Sequence, residues 1–290
     1  MNRRQFISRS TALLAVSSIV GCQSGSPMNK GRIGIQLYSI KDELPKDFEG
    51  SLKKLSDLGY SSVEAYGFTE DNFFGRTMKE LSDLVKDMGM TVSGSHIWTG
   101  ATIVNTPQKE WDFWKSCAAR MKSGDAQWAV LSSFPEANTL DDLKRVAEYF
   151  NRAGKICNDG GVKFAFHNHY DEFVEIDGEV ILDFVIKNTD PELVFFQLDM
   201  GHVVNGGGDC LHYLREFPTR IPLWHASDFD LATRKYVEVG RGSVPYKALF
   251  DLPNTGGLQQ LTVEQETDGD IFASCKEDFD YLKQFKWTKV

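Results

Sequence analysis

The chain has 290 residues, 41% of them hydrophobic, enough for a sizeable buried core in one large domain or two small ones. Its formal net charge is −9 and no Lys/Arg cluster interrupts the acidic balance, which argues against nucleic acid as a partner and against an endonuclease-like activity. The five cysteines contain no C-x-x-C pair, so neither a zinc knuckle nor a dense disulfide framework is indicated.

The N-terminus reads as a targeting segment. Residues 1–21, MNRRQFISRSTALLAVSSIVG, carry Arg3, Arg4 and Arg9, no acid, and an apolar stretch too short to span a bilayer comfortably. The Arg-Arg-x-Phe-Ile start resembles a twin-arginine export signal, and SIVGC resembles a bacterial lipoprotein cleavage site with Cys22 as the lipidated residue. The alternative is an N-terminal helix or single anchor. Removal of residues 1–21 takes the net charge from −9 to −12. The expectation is an exported, periplasmic or cell-envelope lipoprotein that touches a membrane only through the Cys22 lipid. Residues 22–30 would then be a short linker and residues 31–290 one folded domain, in which Cys117, Cys157, Cys210 and Cys275 stay reduced.

From Arg32 onward, short β-rich runs alternate with longer amphipathic stretches. The runs are RIGIQLYSI, SSVEAY, MTVSGSHIW, AQWAVLSSF, VKFAFHNH, LVFFQLDMGH, RIPLWHASD and LQQLTVEQE, starting at 32, 61, 90, 126, 162, 193, 220 and 258. Helix-like segments such as FEGSLKKLSDLG and LDDLKRVAEYFNRAGKICNDGG lie between them, several ending in Gly. Strands that are apolar almost throughout, each separated by a helix, imply a parallel sheet buried on both faces. Eight such units predict an α/β fold, a (β/α)8 TIM barrel in a single domain. The alternative, an open doubly wound sheet, lacks a G-x-G-x-x-G after the first run.

Chemistry in such a barrel belongs at the C-terminal ends of its strands. Glu64 closes the second run and His96 the third. His167 and His169 close the fifth, Asp199 the sixth, His225 the seventh, and Glu264 and Glu266 the eighth. With His202, three residues past Asp199, these ends account for five of the six histidines in the chain. Strand alternation puts His167 and His169 on one face, about 6.6 Å apart, with Asn168 pointing away. Buried acids and imidazoles converging on one mouth satisfy each other best around a divalent cation. A mixed N/O donor set suits Mn, Zn, Fe or Co better than Ca.

The pieces GIQLYSIKDEL, FHNHYDEF, QLDMGHV, RIPLWHASD, GRGSVPY and TVEQE together resemble the sugar phosphate isomerases and epimerases of the xylose isomerase-like barrel superfamily. The resemblance runs from about Gly31 to the C-terminus and is closest to the branch whose fifth strand reads roughly yHNHxxEF. It implies one divalent metal held by Glu, Asp, His and Glu at strands five to eight. Asp199, His225 and Glu264 match three of these. At strand five His167 replaces the Glu, so the fourth ligand is open among His167, His169 and Glu172. In HASD, Ser227 stands where many relatives carry Lys.

The expected chemistry is proton abstraction beside the carbonyl of a small sugar or keto-sugar, through an enediolate. Glu172, His169, His202 and Glu266 are the candidate proton carriers. Glu64, His96, Asn168, Asp228 and Arg241 are candidate substrate contacts. The same chemistry with a leaving group β to the carbonyl would make a lyase acting on 3-keto glycosides. A reading of another class is a non-catalytic sugar-binding lipoprotein. NGGGD, from Asn205, lacks the Lys or Ser/Thr of a phosphate loop and reads as a turn. Of the aromatics near strand ends (Trp98, Trp128, Phe134, Trp224), packing explains most.

Overall fold

The computed structural model describes residues 33–68, 72–99 and 106–287. The segments expected to be an export signal and a linker, with Cys22, lie outside them. Eight parallel strands close into a barrel: β1 (Ile33–Gln36), β2 (Ser62–Tyr66), β3 (Thr91–Ile97), β4 (Trp128–Leu131), β5 (Lys163–His167), β6 (Val194–Asp199), β7 (Leu223–Ala226) and β8 (Gln260–Val263). Each strand pairs with its sequence neighbours, and β1 pairs with β8 to close the ring. All eight predicted runs contain a strand, though shorter than the run. Leu37–Ile40, read as the end of the first strand, turns into a 3-10 helix because the Gln36 side chain accepts the Tyr38 N–H.

The connecting helices start and stop where local chemistry directs them. Among them are α1 (Phe48–Leu58), α2 (Met78–Asp87), α3 (Gln108–Ser123) and α4 (Leu140–Asp159). Asp47 caps α1, and Thr77 and Thr139 form reciprocal capping boxes with Glu80 and Asp142. Gly59 ends α1 at φ 110°, a conformation that a side chain resists. In the second half α5 (Ile181–Asn188), α6 (Met200–Asn205), α7 (Cys210–Glu216), α8 (Tyr246–Phe250) and α9 (Ile271–Leu282) complete the outer ring.

Strand alternation divides the core in two. Outward residues such as Val63, Phe164, Phe166, Phe196, Leu198, Trp224 and Val263 join the helices in one large apolar layer. Inward residues Trp128, Val130, Ala165 and Leu223, with Phe195 against them, form a separate small cluster inside the barrel. This plug fills only part of the interior. One irregularity aims the site: the β2–β3 register shifts by a residue between Val63 and Glu64, so that Glu64 pairs with Gly94 rather than Ser93. The bulge turns His96 inward. Cys117, Cys157, Cys210 and Cys275 are buried free thiols, as expected.

Candidate active site

Above the apolar plug the inward positions become polar. Gln36 on β1, Glu64 on β2, His96 on β3, His167 on β5, Gln197 and Asp199 on β6, His225 on β7 and Glu264 just past β8 are all at least 93% buried. They meet across the barrel rather than along its rim. Glu64 accepts from His225 Nε2 at 2.6 Å, from Gln36 Nε2 at 3.0 Å and from Gln197 Nε2 at 3.0 Å. Gln197 Oε1 in turn lies 2.8 Å from His96 Nε2 and 3.2 Å from His167 Nδ1. The His96 ring stacks on that of His225, centroids 5.0 Å apart and 16° from parallel.

Electrostatics follow from this crowding. Burial disfavours charge on His225, but the carboxylates of Glu64 and Glu264 on its two ring nitrogens outweigh it and raise its pKa to about 10. Burial likewise opposes ionisation of Glu64 and Glu264, yet the facing His225 holds both below the usual carboxylate range. His167 has burial and neighbouring histidines working together, so its pKa falls well below the ordinary value.

Four groups from four strands converge on one point. Donor atoms of His167, Asp199, His225 and Glu264 all lie within 4.8 Å of one another. Glu264 Oε2 is 2.8 Å from His225 Nδ1 and 3.9 Å from His167 Nε2, and Asp199 Oδ2 is 4.0 Å from His225 Nδ1. The two Asp199 oxygens are used differently. Oδ1 accepts from the His202 N–H at 2.7 Å and from Ser227 Oγ at 2.5 Å, whereas Oδ2 is buried without any hydrogen-bond partner. An unpaired buried carboxylate oxygen costs free energy on the order of 1–3 kcal/mol or more. Two imidazoles and two carboxylates around that orphan oxygen fit a divalent cation with borderline donor preferences.

Nearer the opening lie His169, His202, Glu172 and Glu266. The rings of His169 and His202 are 4.9 Å apart, and each lies within 6.0 Å of the His167 ring. His202 Nδ1 is hydrogen-bonded to the Tyr236 hydroxyl, delivered by a short hairpin (Asp228–Asp230 with Lys235–Val237), and His202 Nε2 faces Glu266 Oε1 at 3.7 Å. Burial lifts the Glu172 carboxyl to about 7, against the backbone N–H of His169 that it accepts. Burial and then the Glu264 charge lift Glu266 to about 7, although 34% of its side chain remains exposed. Burial and His202 bring His169 down to about 4. A cleft of about 340 Å³, lined in part by Tyr38, Lys41, Glu43 and Thr267, opens beside Glu266. A cavity of about 430 Å³ at the opposite end, among Ser62, Gln127 and Gln260, contains none of these groups.

The structure therefore brings the predicted ligands and proton carriers into one cluster, and moves some predicted substrate contacts out of it. Glu64 is at mid-strand beneath the cluster rather than at its rim, because the bulge and its three donors hold it there. Asn168 is buried and clamps the end of β6, accepting the Asp199 N–H at 3.0 Å and donating to its carbonyl at 3.4 Å. Asp228 spends both oxygens on backbone N–H groups of Phe229, Gly240, Gly242 and Val244, organising the loop after the hairpin. Arg241 is an exposed cation paired with Glu238 and Glu277. The glycines of NGGGD let the chain pack on Phe173: a Cβ at Gly206 or Gly208 would lie within 2.7 Å of its ring. Trp128 and Trp224 are core residues, Phe134 packs on Phe150 and Phe166, and Trp98 is 68% exposed. Gln36, Gln197, Ser227 and Tyr236 went unassigned. For the two glutamines the signal was present, as amides at inward positions of otherwise apolar strands.

Known proteins share this architecture. Residues 52–289 match the family described as xylose isomerase-like TIM barrel. A sugar phosphate isomerase/epimerase from Parabacteroides distasonis is 28% identical, with a TM-score of 0.78 over 87% of this chain and 93% of that one. An inosose dehydratase of Geobacillus kaustophilus is 22% identical over 91% of this chain and 93% of its own length. An L-ribulose 3-epimerase, 16% identical with a TM-score of 0.68 over 87% of this chain and 93% of that one, shares the fold.

Proposed function

The chain belongs to the xylose isomerase-like TIM barrel family, and from that premise we propose that it is a divalent-metal-dependent enzyme that isomerises or epimerises a small sugar. The observation that carries this reading is the orphan Asp199 Oδ2 at the centre of the His167, Asp199, His225 and Glu264 donor set. When bound there, the ion (Mn, Zn, Co or Fe) supplies Lewis-acid polarisation of a carbonyl oxygen. The protein's part is proton transfer and positioning. Glu172 and Glu266, both poised at about 7 beside the cluster, have the pKa values that general acid–base catalysis at neutral pH requires. One, ionised, removes the proton α to the carbonyl. The other, protonated, delivers its own proton to the opposite face in epimerisation or to the neighbouring carbon in isomerisation, where the hydroxyl proton also passes between the two oxygens. His202, steadied by Tyr236 and the Asp199 cap, is placed to hydrogen-bond a substrate hydroxyl. His169 stays neutral near pH 7 and can relay a proton.

The likeness to inosose dehydratases favours a second reading, elimination from a keto-sugar or 3-keto glycoside after the same proton abstraction. Glu172 or Glu266, part-protonated at neutral pH, would then protonate the leaving oxygen. Export and lipidation at Cys22 remain part of this proposal, resting on sequence alone.

Incubation with keto-sugars and 3-keto glycosides in deuterium oxide tests both readings by NMR. Enzyme-dependent exchange of an α-proton supports the mechanism, and loss of the β-substituent selects elimination. A metal-loaded protein that binds a keto-sugar without exchanging any proton would leave the sugar-binding lipoprotein reading in its place.

A further inference from the structure

We infer that Gln36, Glu64 and Gln197 form a positioning layer, with Glu64 at its centre, that places the His167 proton on Nδ1 and turns the Nδ1 edge of His225 toward the four-residue cluster. The chain of reasoning starts at a backbone group that cannot flip. The Tyr38 N–H donates to Gln36 Oε1 at 3.2 Å, so the Gln36 amide nitrogen must face Glu64, as its 3.0 Å contact shows. Glu64, ionised, accepts only, and Gln197 therefore turns its amide nitrogen toward it, at 3.0 and 3.2 Å from its two oxygens. Glu64 on β2 and Gln197 on β6 face each other across the barrel, four strands apart in the closed order.

With its nitrogen committed, Gln197 offers Oε1 to the histidines. His96 Nε2 and His167 Nδ1 must each donate to it, at 2.8 and 3.2 Å. His167 then carries its proton on Nδ1, and its Nε2 lone pair faces Glu264 in the four-residue cluster. Glu64 orients His225 directly: Nε2–H donates to it at 2.6 Å, which turns Nδ1 toward Glu264 at 2.8 Å, where it donates while the ring is charged and becomes a ligand nitrogen once that proton leaves. One buried carboxylate thus presents two imidazole nitrogens to one point. A carboxylate or amide behind a ligating imidazole orients the ring and raises its basicity, and loss of such a partner typically costs 10–100-fold in metal affinity. That the layer serves an ion rests on the metal reading above; the protonation pattern does not.

Glu64→Gln is isosteric and removes the acceptor-only group, so Gln197 becomes free to turn over. In the metal-free full chain, labelled with 15N-histidine, long-range 1H–15N NMR should show His167 protonated on Nδ1. In E64Q that signal should shift toward Nε2–H or an average of the two, and zinc affinity by chelator competition should fall 10–100-fold. The exchange variant E64Q/Q197E restores a carboxylate behind His96 and His167 and should recover the His167 signal. If E64Q does not fold, Gln197→Met, which removes the Oε1 acceptor together with the Nε2 donor to Glu64, should shift the same signal. Unchanged His167 protonation in the folded variants would overturn the inference. So would a fall in zinc affinity without any change in protonation, since Glu64 would then act through its charge alone. Because no readout is turnover, a failed isomerase or lyase reading leaves these outcomes interpretable.

Discussion

The two faces of a single strand carry different burdens in this barrel. Along β6, Val194, Phe196 and Leu198 turn outward into the apolar layer beneath the helices, while Phe195, Gln197 and Asp199 turn inward. The outer face is held by burial, which is non-directional and tolerant of similar shapes. The inner face is held by directional hydrogen bonds, with Thr262 Oγ1 and the Asp199 oxygen aimed at the cluster centre left without a partner. Stability should therefore be concentrated in the first region and ligand chemistry in the second.

The largest effect is expected where the inner face is broken outright. Asp199→Ala combined with His225→Ala removes two of four donors, and divalent-metal binding by equilibrium dialysis should disappear while the circular dichroism spectrum of the barrel persists. The mirror experiment is Phe166→Ala in the outer layer. Phe166 is fully buried against Phe134, Phe150 and Phe196, and its truncation should cost about 3–5 kcal/mol in urea unfolding. Metal affinity of the molecules that remain folded should change little. A large loss of affinity there would mean that the two faces are not separable.

A third prediction uses a carboxyl outside the barrel interior. Asp278 on α9 is fully buried, and burial raises it to about 7 against the donors Val239 N–H and Gln265 Nε2 that it accepts. Its folded pKa thus exceeds the unfolded value, so folding binds a proton between the two. The stability it confers is present at about pH 4 and is lost as pH rises to about 7. Relative to Asp278→Asn, the parent should lose up to a few kcal/mol between pH 4.5 and 8, read by urea midpoints. A constant gap would contradict the assignment. The smallest effect is expected for Arg241→Ala, which removes only the ion pairs of an exposed side chain with Glu238 and Glu277: stability should change by less than about 0.5 kcal/mol and turnover by less than twofold.

What could be read from the sequence follows the same division. The outer face and the strand count were legible because apolar runs and capped, Gly-terminated helices leave a local pattern; Asp47, Thr77, Thr139 and Gly59 are examples. The ends of β5 to β8 were legible because polar residues there interrupt apolar runs. The depth of Glu64 and the inward turn of His96 were not, since they depend on a bulge that shifts register after Val63, which plain alternation cannot anticipate. Nor could the fate of Asp228 or Arg241 be read. Both are typical site residues by type, and only the fold brings Gly240, Gly242 and Val244 to the first and Glu277 to the second. The choice among His167, His169 and Glu172 as the fourth group also needed three dimensions: of these, His167 alone joins the tetrad with Asp199, His225 and Glu264.

The most direct test is the metal content of the purified full chain after incubation with manganese, zinc, cobalt and iron(II) salts and desalting, measured by inductively coupled plasma mass spectrometry. One equivalent of a single ion per chain, absent from the Asp199→Ala, His225→Ala variant, is the predicted result. A parent chain that retains none of the four would contradict the account, because the orphan oxygen of Asp199 would then face no cation and the proton chemistry would lose its electrophile.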